Sequence, residues 1–167
     1  MALSTPPSEN RPSRLIDIVM DIPFFDMLNA QELTEVVKHM NYFEIEKGDV
    51  LFKEGDPGDS VCFVVDGALD VFKEGSKPGQ IVHIATINKN RAIGEMAVID
   101  EYTRSATVTA RHPSAIVSLG KSAFDTLLQE NPRIGAAILK RVAKLVSMNL
   151  RRTSSQLADH LVPIEEP

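Results

Sequence analysis

Cysteine is nearly absent from this chain of 167 residues: Cys62 stands alone. No internal disulfide can form, and one thiol by itself holds neither a structural zinc nor an iron–sulfur cluster. Histidine is sparse too, and His39, His83, His112 and His160 never approach the spacing of metal ligands on one strand or helix. That argues against a metal-dependent enzyme. A basic surplus is missing as well, since 18 Lys and Arg face 23 Asp and Glu for a formal charge of -5. A sequence-independent duplex binder carries the opposite sign, so no nucleic-acid partner is expected. No segment reaches the roughly 18 unbroken apolar residues of a membrane span, and the opening "MALSTPPSENRPSR" lacks the apolar core of a signal peptide. The expectation is a cytoplasmic chain with no membrane span. No repeat of roughly 20 to 50 residues is present either.

What is there is ordinary for one globular domain, with 43% apolar and 25% charged residues. Residues 1–13 hold three prolines among small polar side chains and read as a flexible tail. A single domain is expected over 14–161, with a second short tail at 162–167. From Arg14 a helical pattern carries Leu15, Ile16, Val19, Met20 and Ile22 up to Pro23. A second helix is announced by Asn29 as N-cap and Glu32 in the capping-box place, with Leu33, Val36, Val37 and Met40 along one face.

Between Tyr42 and Gly120 glycines punctuate short β-branched or aromatic runs, the mark of many short antiparallel strands. Strands are expected at 42–46, 50–53, 61–65, 68–73, 80–87, 105–111 and 114–119. With no helix between most of them, the fold class is mainly β: an antiparallel β-roll of jelly-roll or double-stranded β-helix type over about 42–120, flanked by N-terminal helices. After Lys121 the helical period returns at 122–161. Ser122 is the expected cap of "SAFDTLLQE", and Pro132 opens a second helix of about 25 residues, close to 40 Å at the usual rise.

The stretch "IGEMAVIDEYTRSATV", Ile93 to Val108, sets Glu95 and Arg104 among small apolar residues, where an unpaired charge is costly. Gly94 lets the backbone turn and approach, a short helical segment over Glu95 to Ile99 offers N–H groups to an anion, and Arg104 brings a planar donor fork. A carboxylate does not face a phosphate. Glu95 is instead suited to accept from a sugar hydroxyl. Together they describe a site for a ribose phosphate, and the plainer alternative is a structural ion pair between Glu95 and Arg104.

The same stretch closely resembles the phosphate-binding cassette of cyclic nucleotide-binding domains: Gly-Glu-apolar-Ala-apolar, a short connection, then Arg with small residues after it. The upstream "KGDVLFKEGDPGDSVCFVVDGALDVF" looks like that family's strand-and-glycine region, and its glycines read as turn formers that support the fold. The likeness spans about Arg14 to Leu150. It departs at Asn90, where a glycine is common, at Ile93 and at Thr103. Asn tolerates the left-handed region better than most residues.

The resemblance implies that Glu95 accepts from a ribose 2′-hydroxyl and that Arg104 pairs with a cyclic phosphate. Backbone N–H groups around Met96, Ala97 and Ala106, with the Ser105 hydroxyl, would complete the cradle, and Gly94 belongs to the same ligand site. Counting from Arg104 to the base-contacting helix position of the catabolite activators reaches Asn149, whose amide would meet the purine. The implied ligand is cAMP rather than cGMP on family frequency, with Ser105 compatible with either, and no other cofactor. No enzyme activity of its own is expected. The long helix would act as a lid or pair with its twin in a homodimer, and the signal would pass to a protein effector. No segment after Pro163 makes a DNA-reading domain, so direct control of transcription is not expected. The competing reading is an interaction or scaffold module that keeps the roll and ignores nucleotide.

Overall fold

The computed structural model describes residues 11–100 and 102–159, with side chains from Leu15 onward. The expected tail residues 1–10 and the segment 160–167 lie outside the described residues. Helix α1 runs Arg11–Met20 and so takes in three residues that the sequence reading gives to the tail. Pro12 sits in its first turn, where a missing N–H costs no hydrogen bond. A 3-10 turn, Pro23–Phe25, then leads to α2, Ala30–Val37. The α2 capping box is complete: Asn29 Oδ1 accepts from the N–H of Gln31 and Glu32, and Glu32 accepts from Asn29 N–H at 2.9 Å. Met40 leaves the expected helical face. His39 N–H closes on Val36 O at 3.0 Å, the helix stops, and Met40 opens the first strand.

Eight strands follow: β1 Met40–Ile45, β2 Val50–Phe52, β3 Ser60–Asp66, β4 Ala68–Glu74, β5 Ile81–Asn88, β6 Ala92–Ile93, β7 Thr107–Ala110 and β8 Ser114–Gly120. They form two antiparallel four-stranded sheets, in the orders β1-β8-β3-β6 and β2-β7-β4-β5. The expected roll is present with flanking helices. All seven expected strands agree within two residues at either end. Regular pairing of the strand expected at 105–111 starts at Thr107, and β6 is an addition.

The core divides along β3, whose side chains alternate between two apolar clusters. Cys62 and Val64 pack between the sheets with Ile45, Leu69, Val71 and Ile116. Val61 and Phe63 point the other way, onto the helices. Phe63 meets Phe24 and Phe25, each with ring centroids 4.9 Å apart, which pins the 3-10 turn to the sheet.

Helix α3, Lys121–Glu130, begins straight from β8, with Gly120 as N-cap. Ser122 is therefore not the cap. Lys121 N–H donates to Asp59 O at 2.7 Å, so the chain enters the helix at once, and Ser122 O accepts from Thr126 Oγ1 inside it. Helix α4 spans Pro132–Ala158, 27 residues and about 40 Å at the usual rise. Its buried residues, Ile134, Gly135, Ile138 and Val142, all lie in its first half.

Candidate functional site

Strand β6 pairs with Cys62 and Phe63 of β3 and hands the chain to Gly94. Gly94 takes φ 75, in the left-handed region, and caps a second 3-10 turn, Glu95–Val98. A Cβ there would collide with Arg104 Nη1. Upstream, Asn90 occupies the left-handed region at φ 65, the conformation that the residue type suggests. The expected short helical segment is thus a 3-10 turn, closed by Ala97 N–H to Gly94 O at 3.2 Å and Ile99 N–H to Met96 O at 2.9 Å.

The backbone of Arg104 is fixed on both sides. Its N–H donates to Asp56 O at 2.8 Å, its carbonyl accepts from Gly55 N–H at 2.9 Å, and Thr103 bridges Pro57. Its side chain is then aimed inward and is 6% exposed. Nη1 donates to Ser60 O at 2.8 Å, while Nη2 donates to Ser60 Oγ and Asp59 Oδ1, both at 3.1 Å. The guanidinium carbon lies 4.1 Å from the centre of the Phe52 ring, a cation–π contact. Among the described residues Arg104 Nε is the one buried side-chain nitrogen or oxygen without a hydrogen-bond partner. An orphaned donor on a buried cation is costly unless something else satisfies it.

Glu95 is 8% exposed. It does not pair with Arg104. Its Oε1 accepts from Asn149 Nδ2 at 2.9 Å, across 54 residues of chain. The structural ion pair that the sequence allows is thus replaced by two separate engagements, Glu95 with α4 and Arg104 with the start of β3.

All the residues that the sequence singles out come together. Gly94, Glu95, Met96 and Ala97 line one side of a single cavity of about 610 Å³. Arg104, Ser105 and Ala106 line it from the returning strand, and Asn149 from α4. Ala97 N–H is engaged in the 3-10 turn, and Ser105 O accepts from Lys73 Nζ at 2.6 Å. The α4 wall continues with Leu145, Met148 and Arg152.

Some of the site is not expected from sequence. Gly58, read as a turn former, lines the cavity, and Asp59 next to it holds Arg104. The signal was in "GDPGDS", whose second aspartate falls just where β3 begins, but one exposed carboxylate in a turn does not announce its partner. Phe52 is missed because its ring serves a cation 52 residues away.

Cys62 is buried between the sheets, and burial pushes its thiol up to about 11 against the pull of the Arg104 charge, which leaves it a neutral core group. On the roll exterior, Asp70, His83, Thr86 and Arg111 form a hydrogen-bonded group. Thr86 Oγ1 and Asp70 Oδ1 both reach the same ring nitrogen of His83, Nε2, at 3.3 and 3.0 Å. A proton relay needs the acid on one ring nitrogen and the nucleophile on the other, so this trio is not a catalytic triad. Among the described residues no three His, Cys, Asp or Glu side chains are grouped to hold a metal, and no helix is long and apolar enough to cross a membrane.

A sequence model of the cyclic nucleotide-binding domain matches residues 42–131. The chain is 31% identical over 126 residues to a cyclic nucleotide-gated potassium channel of Mesorhizobium japonicum, covering 75% of this chain and 33% of the channel. It is 29% identical over 119 residues to a cAMP-dependent protein kinase regulatory subunit of Debaryomyces hansenii, covering 71% of this chain and 25% of that protein. The chain therefore spans a third or less of these two relatives. Among solved structures, a cyclic nucleotide-binding domain from Methylobacillus flagellatus superposes with a TM-score of 0.79 at 26% identity, covering 91% of this chain and 85% of the other.

Proposed function

The chain belongs to the cyclic nucleotide-binding domain family, and from that premise we propose that it is a cyclic nucleotide receptor whose ligand occupies the cavity between Glu95 and Arg104. The observation that carries this reading is the pair of buried charges lining one space: a carboxylate with acceptor capacity and a guanidinium whose Nε has no partner. A cyclic ribose phosphate satisfies both. Its 2′-hydroxyl donates to Glu95, and a phosphate oxygen accepts from Arg104. The N–H groups of Met96 and Ala106 and the Ser105 hydroxyl supply further donors, while Gly94, Ala97 and Ala106 keep the wall close. A volume of about 610 Å³ falls in the range of small-molecule sites.

Of the two ligands, cAMP is taken first, because a relative 29% identical is named as cAMP-dependent; Ser105 suits cGMP equally. The domain does no chemistry of its own in this reading. Binding reorders 94–106 and shifts α4, which touches the same cavity, so the signal is a change in helix position. Two readers fit that signal, an effector protein and a second copy paired along α4. Both would use its outer side, where Leu139, Leu150 and Leu157 are 39%, 66% and 60% exposed and fall within roughly 20° of one another on the helix. Light scattering with and without ligand distinguishes them.

Isothermal titration with cAMP and cGMP tests the receptor reading, with Arg104→Ala alongside. The parent binds at least one nucleotide and the variant binds at least a hundredfold more weakly, the scale of a buried charge-assisted contact. Absence of heat from the parent, or equal binding by the variant, favours a nucleotide-independent interaction module.

A further inference from the structure

The pairing of β4 with β7 stops at Phe72 opposite Thr107. One further step would bring in Ala106, but Ser105 and Ala106 stand outside the strand, and among the described residues the Ala106 N–H has no hydrogen-bond partner. A side chain takes over where the ladder ends. Lys73, the next residue of β4, donates from Nζ to Ser105 O at 2.6 Å and to Glu54 Oε1 at 2.7 Å. Glu54 is held in turn, since its other oxygen accepts from Glu74 N–H at 3.0 Å and its own N–H donates to Thr107 Oγ1 at 3.0 Å. The ammonium and its counter-charge are thus fixed together at the end of the ladder.

The acceptor matters because Ser105 O and the Ala106 N–H belong to one peptide group. That group is planar and trans, so its carbonyl and its N–H point in opposite directions. Ser105 and Ala106 line the cavity, whereas Lys73 and Glu54 do not. The ammonium therefore draws the carbonyl to the outside of the wall and turns the N–H toward the cavity. A cation on the oxygen also polarises the peptide, which makes its N–H a stronger donor.

We propose that Lys73 is a positioning residue for the ligand: it never touches the nucleotide, and by holding the Ser105 carbonyl it aims and strengthens the Ala106 N–H for one phosphate oxygen. The inference rests on the receptor reading. It separates two kinds of help that a cation gives an anionic ligand. A charge acting at a distance favours the whole phosphate, but a charge acting through one peptide favours a single oxygen.

A cyclic phosphate has two oxygens outside its ring, and its two phosphorothioate diastereomers replace one or the other by sulfur, a weaker acceptor. The experiment titrates cAMP and both diastereomers into the parent and Lys73→Met. Lys73 is half-exposed and methionine keeps most of its stem, so the variant folds. It is expected to bind cAMP about fivefold more weakly than the parent, the size of one hydrogen bond. One diastereomer shows the same loss. The other, with sulfur already opposite the Ala106 N–H, loses little. Equal losses for both make Lys73 a distant charge or a general support and overturn the proposal, as does unchanged cAMP binding. Without nucleotide, the nitrogen-15 resonance of Ala106, which follows the hydrogen bonding of the carbonyl in its own peptide, moves upfield in the variant. A peak that stays in place overturns the hold on that carbonyl. Should the parent bind none of these ligands, the receptor reading fails and the aimed donor falls with it, whereas the nitrogen shift still decides the hold by itself.

Discussion

Replacing Gly94 by alanine puts a methyl group where the Arg104 guanidinium now lies. Two costs combine. Gly94 has φ +75, and an L-residue held in that region costs roughly 1–2 kcal/mol. The new Cβ would also meet Arg104 Nη1 and sit 3.2 Å from Ser60 O, so the guanidinium must leave the 2.8 Å bond it donates to that oxygen. Loss of a hydrogen bond to a charged group costs about 1.5–3 kcal/mol. The sum is about 2.5–5 kcal/mol. Gly48 supplies the control, because it has φ +88 and nothing within 4 Å of an added Cβ; Gly48→Ala should cost only the backbone part, about 1–2 kcal/mol. Urea unfolding at constant m-value measures both. The excess of Gly94→Ala over Gly48→Ala, about 1.5–3 kcal/mol, should vanish in an Arg104→Ala background, where no guanidinium is displaced. Equal losses for the two glycines in the parent, or an excess that survives without Arg104, would refute the reasoning.

Two further outcomes follow from charge states. Burial opposes ionisation of Asp70, but hydrogen bonds from Thr86 and His83, with Arg111 nearby, hold its carboxyl below the usual range. A depressed carboxyl stabilises the fold above its unfolded value of about 3.9 and loses that contribution as pH falls through the folded value. Urea midpoints at successive pH values below about 5 should therefore fall more steeply for the parent than for Asp70→Asn, and parallel curves would contradict this. Cys62, with its thiol pushed up to about 11, should resist an aromatic disulfide reagent at pH 8 until denaturant opens the roll. Fast labelling of the native protein would mean that the strand is not packed as described.

The sequence carried the site further than it carried the boundaries around it. Glu95 and Arg104 were legible because two opposite charges set in a run of small residues must each find a partner or a ligand, and the glycine before Glu95 already implied a close approach. The α2 cap was legible because a capping box is a local device of four residues. Local signals failed where a neighbour decided the matter. Strand β6 has two residues, too few for any periodicity, and exists because β3 offers an edge at Cys62 and Phe63. Ser122 has the chemistry of a cap, yet the Lys121 bond to Asp59 starts the helix earlier. Asn149 was placed near the ligand by counting along a family pattern, but its bond to Glu95 depends on the direction of α4 across 54 residues, which no local pattern encodes.

In the receptor reading Arg104 Nε, the buried donor without a hydrogen-bond partner, meets a phosphate oxygen of the ligand, and the resonance of Arg104 Nε–H reports on that atom alone. In a nitrogen-15 correlation spectrum, with the peak assigned by its loss in Arg104→Lys, saturating cAMP or cGMP should move it strongly downfield as it gains a phosphate partner. A peak that stays in place while calorimetry registers nucleotide binding would put the ligand somewhere else and contradict the receptor reading.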